Sequence, residues 1–229
     1  MTILENLNGV LSRIEAAAGR AGRDPAKVEL VAVTKKARPD AVLELLGSGL
    51  VRHVGENRVQ DAAAKRKALE RQGSAVVWHM LGHLQRNKSR QALEVFQAVD
   101  SLDSLPLAER LDGDLADAGR TLPVLVQVKL TERESQAGLA PETVREFVEK
   151  ARTFKRLQVR GLMCIAPMLD PVEAVRPHFR RMREIFERCF PGGGTLSMGM
   201  SRDFEIAVEE GSNMVRVGSA LFNCEPATS

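Results

Sequence analysis

The apolar run at the start of "LVAVTKKARP" (residues 30–39) stops at two adjacent lysines, Lys35 and Lys36. An amine at the end of a buried strand can simply make that end soluble, or, once unprotonated, it can condense with an aldehyde. Two other stretches bear on the choice. "GMSRD" (199–203) and "GSALFN" (218–223) are small-residue turns that lead into helical patterns. Such turns aim backbone N–H groups and a hydroxyl at one point near the positive end of a helix, which grips a phosphate without any large side chain. Met200, Ser201, Gly218 and Ser219 are therefore the expected cradle. The chemistry implied is capture of a molecule with an aldehyde at one end and a phosphate at the other.

Simpler roles exist for the same residues. Ser201 before "RDFE" has the form of a helix cap, although Phe204 stands where a capping box wants Glu or Gln. Lys36 supplies a neighbouring charge if it faces the same way as Lys35, whereas strand alternation turns it to the opposite side. His79 and His83 in "WHMLGH" have the i, i+4 spacing of helical metal ligands. Val76, Val77 and Trp78 make this stretch a strand, however, and Gly82 interrupts any helix through it. His79 is expected to be a hydrogen-bonded strand residue and His83 to lie in the next loop. His53 and His178 attract no functional role, and no metal site is expected.

These residues need elements to hold them. Eight short apolar runs recur along the chain: residues 28–34, 51–55, 76–81, 95–99, 123–130, 158–164, 195–198 and 214–217. Helical patterns fill the gaps, as in Val144, Phe147, Val148 and Ala151, or Val175, Phe179, Met182, Ile185, Phe186 and Cys189. A further amphipathic helix, carrying Ile3, Leu7, Val10, Leu11, Ile14 and Ala17, precedes the first strand. Eight alternations of strands apolar on both faces predict a single α/β domain over residues 1–229, a (β/α)₈ TIM-type barrel with an extra N-terminal helix. An open doubly wound sheet is the structural alternative. In either fold ligands sit beyond the C-terminal strand ends, where Lys35, "GENRVQD" (55–61), "GHLQRNK" (82–88), "CIAP" (164–167) and the two turns all lie.

Composition narrows the function classes. The 229 residues are 44% hydrophobic and 28% charged, with a net charge of +3 spread along the chain, unlike the gathered basic patches of nucleic-acid binders. "KRK" (65–67) is expected to be a solvated helix face. No stretch resembles a membrane span or a signal peptide, so a cytoplasmic protein is expected. Cys164, Cys189 and Cys224 suggest neither disulfides nor a zinc site. Tyrosine is absent, which removes any phenolic proton donor.

Pyridoxal 5'-phosphate is the cofactor that combines an aldehyde with a phosphate. At this point "AVTK" (32–35), "VGENRVQD" (54–61), "WHMLGHLQRNK" (78–88), "VLVQVKL" (124–130), "RGLMCIAP" (160–167) and "LSMGMSRDFEIAVEEGSNMVRVGSALF" (196–222) together carry a likeness over nearly the whole chain. The sequence resembles the pyridoxal phosphate homeostasis proteins, which are related to the N-terminal barrel of alanine racemase. The resemblance implies a single barrel whose Lys35 forms a Schiff base with pyridoxal phosphate. It implies phosphate contacts at Ser201, Gly218 and Ser219, Arg216 against the pyridine nitrogen, and Asn57 near the ring. A permanent cation there disfavours protonating the nitrogen, so the ring becomes a poorer electron sink.

The related racemases pair their lysine with a tyrosine from a second domain; this chain has no tyrosine, and no such domain is expected after residue 222. The expectation is a protein that binds, buffers or delivers the cofactor, with apo enzymes as recipients and no assigned catalytic residue, existing as a monomer or weak homodimer. An amino acid racemase or related small enzyme, with His79 or another lysine as second base, is the alternative. A barrel for an ordinary sugar phosphate, without a Schiff base, is another. Arg58, Lys129 and Gln136 depart from the family's usual "GENYVQE", "QVN" and "E-x-S-K-x-G" blocks.

Overall fold

The computed structural model describes residues 2–69, 76–131 and 137–223; Gln136 and Cys224, both singled out above, lie outside them. Helix α1 (Ile3–Arg20) opens the chain. Thr2 caps it through a reciprocal box, in which its hydroxyl accepts the Glu5 N–H at 3.1 Å and the Glu5 carboxylate accepts the Thr2 N–H at 2.8 Å. The stripe Ile3, Leu7, Val10, Ile14 and Ala17 is buried, as the 3.6-residue period requires.

Strands and helices then alternate. β1 (Glu29–Val33), α2 (Pro39–Gly47), β2 (His53–Glu56), α3 (Val59–Leu69), β3 (Val77–Met80) and α4 (Ser89–Val95) form the first half. β4 (Ala98–Leu102), α5 (Leu105–Asp117), β5 (Leu122–Lys129), α6 (Val144–Ala151), β6 (Leu157–Ile165) and α7 (Arg176–Cys189) continue it. β7 (Thr195–Met200), α8 (Phe204–Glu209), β8 (Met214–Val217) and α9 (Ser219–Phe222) complete the circuit. All neighbouring strands pair in parallel, and β8 returns to β1 with Val31 opposite Arg216 and Ala32 opposite Val217, so the sheet closes into an eight-stranded barrel. The open-sheet alternative is excluded by that closure.

Three strands depart from the sequence expectation by two residues or more at an end. Val95 is the last residue of α4 and Phe96 its C-cap rather than the start of a strand: they are apolar because both are buried against the core, and β4 runs from Ala98 to Leu102. Val51 is likewise buried ahead of β2, which starts at His53. β7 runs two residues further than expected, to Met200.

Strand alternation sorts the residues into two compartments. Outward-facing side chains such as Ala32, Val54, Val124 and Leu162 join the helices in the main core. Inward-facing Val31, Leu125, Met163 and Met214 form a small cluster inside the barrel. Register puts His53, His79, Asp100, Ser197 and Arg216 on the same inner face. A barrel of this size is filled by side chains rather than open along its axis. The space available to a ligand is at the rim.

Candidate functional site

At the C-terminal ends of the strands, the loops after β1, β2, β3, β6, β7 and β8 enclose a cavity of about 420 Å³. Lys35, Asn57, Met200, Ser201, Arg216, Gly218 and Ser219, all named from sequence, line this one cavity. Lys36 lines it as well, against the expectation from strand alternation. The reason is local: β1 has ended at Val33, and the two lysines are the central residues of a turn closed by the Ala37 N–H donating to the Thr34 carbonyl at 2.9 Å. Inside a turn the two-residue alternation no longer applies. Asn57 is set by close packing, because a Cβ at Gly82 would run into the Asn57 carbonyl.

The turns after β7 and β8 are joined to each other. The Ser201 hydroxyl accepts the N–H groups of Gly218 at 3.1 Å and Ala220 at 3.2 Å. Ser201 therefore does not cap the helix that follows it; Asp203 holds that position, and its carboxylate accepts the Met200 N–H at 2.6 Å. The Met200 amide is thus committed within its own turn, and its side chain stands half-exposed at the rim. Burial pushes the Asp203 carboxyl up, with the Met200 N–H working in the opposite direction. Gly218 permits close approach of the two strand ends: a Cβ there would lie 3.1 Å from the Val33 carbonyl oxygen. α8 and α9 have only six and four residues, too few for a sizeable macrodipole.

Arg216 rises from β8 into the cavity wall and is buried. Nη1 donates to Ser197 Oγ at 2.7 Å and Nη2 to the Cys164 carbonyl at 2.7 Å. Burial lowers its proton affinity, but a guanidinium stays charged in any protein environment. Sequence reasoning missed Ser197 and the Cys164 carbonyl. Ser197, on the inward parity of "TLSMGM", was the available signal; a main-chain carbonyl leaves none. The Cys164 thiol is pushed up to about 12 by burial and is unreactive.

The histidines lie elsewhere. His79 Nδ1 is 3.0 Å from each Asp100 carboxylate oxygen, and its Nε2 is 2.9 Å from His53 Nδ1. Burial opposes protonation of His79, yet the charge and hydrogen bonds of Asp100 prevail and its pKa is raised. His53 is shifted down by burial and by His79. Two proton assignments satisfy these contacts: an imidazolium His79 donating to Asp100 and to a neutral His53, or a neutral His79 donating to Asp100 and accepting from His53 Nδ1; the raised pKa of His79 favours the first. His83 pairs separately with Asp103 at 3.1 Å. Among the described residues no cluster of three His, Cys, Asp or Glu could hold a metal ion, and no described helix is long and apolar enough to cross a membrane.

Comparison with known proteins fits this geometry. The model of the alanine racemase N-terminal domain matches residues 6–226. The chain is 41% identical over 221 residues to the pyridoxal phosphate homeostasis protein of Pseudomonas aeruginosa, covering 96% of this chain and 95% of that one. It is 36% identical over 229 residues to the protein of the same name from Aquifex aeolicus, covering 97% and 98%. The structure of PipY of Synechococcus elongatus with pyridoxal phosphate bound superposes with a TM-score of 0.80 at 37% identity, covering 92% of this chain and all of that one.

Proposed function

Because the chain belongs to the pyridoxal phosphate homeostasis proteins, within the alanine racemase N-terminal domain family, we propose that it binds pyridoxal 5'-phosphate in the rim cavity and buffers or delivers it. The observation that carries this function is the convergence of an amine after β1 and the small-residue corner of Ser201, Gly218 and Ser219 after β7 and β8 on one cavity, with a buried guanidinium in its wall. The residues fit the group. A cavity of about 420 Å³ is of the size that small-molecule sites use, and Gly218 keeps the turn after β8 free of a side chain that would press on Val33.

When bound, pyridoxal phosphate supplies an aldehyde that a lysine amine captures and a phosphate that N–H donors hold. Lys35 is the residue assigned to the covalent link. Ser201, Gly218 and Ser219 are assigned to the phosphate, Asn57 and Arg216 to the ring, and the Met200 side chain to the cavity edge. Arg216, held by two neutral acceptors, keeps its charge free to disfavour a proton on the ring nitrogen. That restrains carbanion chemistry and suits custody of the cofactor over turnover of an amino acid. His79, the candidate second base, has both ring nitrogens engaged by Asp100 and His53.

The test is direct. The protein mixed with pyridoxal phosphate is expected to gain a visible absorption band, and borohydride reduction is expected to fix the added mass on the peptide containing Lys35. Lys35→Ala should abolish both. A colourless protein that takes no label, or that binds a sugar phosphate in its place, would overturn the proposal. Chiral analysis after incubation with L-alanine, and the rate of cofactor transfer to an apo enzyme, separate carrier from racemase.

A further inference from the structure

Behind the turn that carries Lys35 stand two residues with no role in the site so far. Lys65, expected on a solvated face of α3, is instead 12% exposed. Its ammonium donates to Glu56 Oε1 at 2.6 Å and to the Thr34 carbonyl oxygen. Glu56 is wholly buried, and the same Oε1 accepts the Thr34 hydroxyl at 2.6 Å. Its Oε2 is an unpartnered acceptor. The Thr34 carbonyl is also the acceptor that closes the Thr34–Ala37 turn around Lys35 and Lys36. Both polar groups of Thr34 that face α3 are therefore tied to one buried ion pair, and Glu56 directly precedes Asn57.

A buried ion pair is a poor way to gain stability, since its desolvation offsets most of its attraction and an apolar pair serves as well. What it adds is direction. The ammonium and the carboxylate together fix the plane of the peptide that joins Thr34 to Lys35, and that plane sets the bearing of the side chain that follows. Direction matters here because two amines, adjacent in sequence, line the same cavity.

We propose that Glu56 and Lys65 are positioning residues that hold the Thr34–Ala37 turn in the orientation presenting Lys35, and not Lys36, to the aldehyde. This rests on the assignment of Lys35 as the capturing amine.

The experiment is borohydride reduction of the full chain with pyridoxal phosphate, with fragment-ion mass spectrometry reading the share of label on each lysine. The unaltered chain is expected to carry its label on Lys35. Lys65→Met leaves a buried carboxylate unpaired and can fail to fold, so the decisive variant is the double change Glu56→Gln with Lys65→Met, which leaves no uncompensated charge. In it the share on Lys36 should rise several-fold, and Lys65→Arg, which keeps the donor, should leave the label on Lys35. Mere destabilisation lowers the total label without moving the ratio; an unmoved ratio overturns the proposal. Amide exchange at Ala37, measured without cofactor, should accelerate about tenfold in the double variant as the turn opens more often. If the unaltered chain takes no label at all, it is the cofactor assignment that fails. The positioning role is then judged by Ala37 alone: faster exchange supports it and unchanged exchange overturns it.

Discussion

Arg216 on β8 and His79 on β3 are both 4% exposed on the inner face of the barrel, yet they are held in opposite ways. Arg216 donates to a hydroxyl and a carbonyl, neither of which cancels its charge. His79 faces the Asp100 carboxylate, whose charge and hydrogen bonds outweigh the cost of burial and raise the pKa of the ring. A cation lining the cavity is thus left available to an electron-rich ligand, while the His79 ring is engaged in holding strands β3 and β4 together. Burial alone does not mark a functional charge. The partners decide.

The largest effect that could break this contrast is Asp100→Asn, which strands a buried imidazolium and should cost about 3–5 kcal/mol in chemical denaturation near pH 6. The sign with pH follows from linkage. A histidine whose folded pKa is raised contributes stability that is fully present below its unfolded value of about 6.5 and is lost as pH rises through the folded value. The gap between the unaltered chain and Asp100→Asn should therefore be widest on the acid side and narrow as pH rises through the folded value. A gap independent of pH would mean that His79 is neutral when folded.

Arg216→Met should do the reverse. Fluorescence or absorbance titration with pyridoxal phosphate is expected to show binding weakened by about ten- to a hundredfold, the worth of a hydrogen bond from a charged group. Folding should suffer less than in Asp100→Asn, because only neutral acceptors lose a donor. Equal losses of stability in the two variants would erase the distinction drawn here.

The smallest effects sharpen it. Ser197→Ala removes one of the acceptors of Arg216 and should weaken binding by about threefold to tenfold. Cys164→Ala keeps the carbonyl that Arg216 uses, so affinity should stay within about twofold while stability falls by about 1 kcal/mol for the lost core volume. A large loss of binding in Cys164→Ala would point to the thiol rather than the main chain.

Much of the barrel was legible because its strands are buried on both faces and its helices on one, so two different periods mark them in the chain. The strand expected at residues 95–99 failed where burial and strand formation part company: Val95 and Phe96 are apolar for the core, not for the sheet. Lys35, Ser201, Gly218 and Ser219 were legible because parallel strands deliver their C-terminal ends to one rim, so position along the chain reports position in space. Lys65 was misjudged for the complementary reason. Nothing in "KRK" says which of three cations faces a carboxylate on the preceding strand.

The order of elements and the set of strand-end residues that share a rim follow from local pattern, since periodicity and turn chemistry act over a few residues at a time, whereas closure of the sheet was settled by the β8–β1 pairing. Which partners those residues meet was decided only by the closed sheet. His79 and Asp100 are 21 positions apart and Arg216 and Cys164 are 52 apart, and they meet because register and closure rotate particular inward positions onto one another. The raised pKa of His79 and the neutral acceptors of Arg216 depend on such meetings, whose distances no local period encodes.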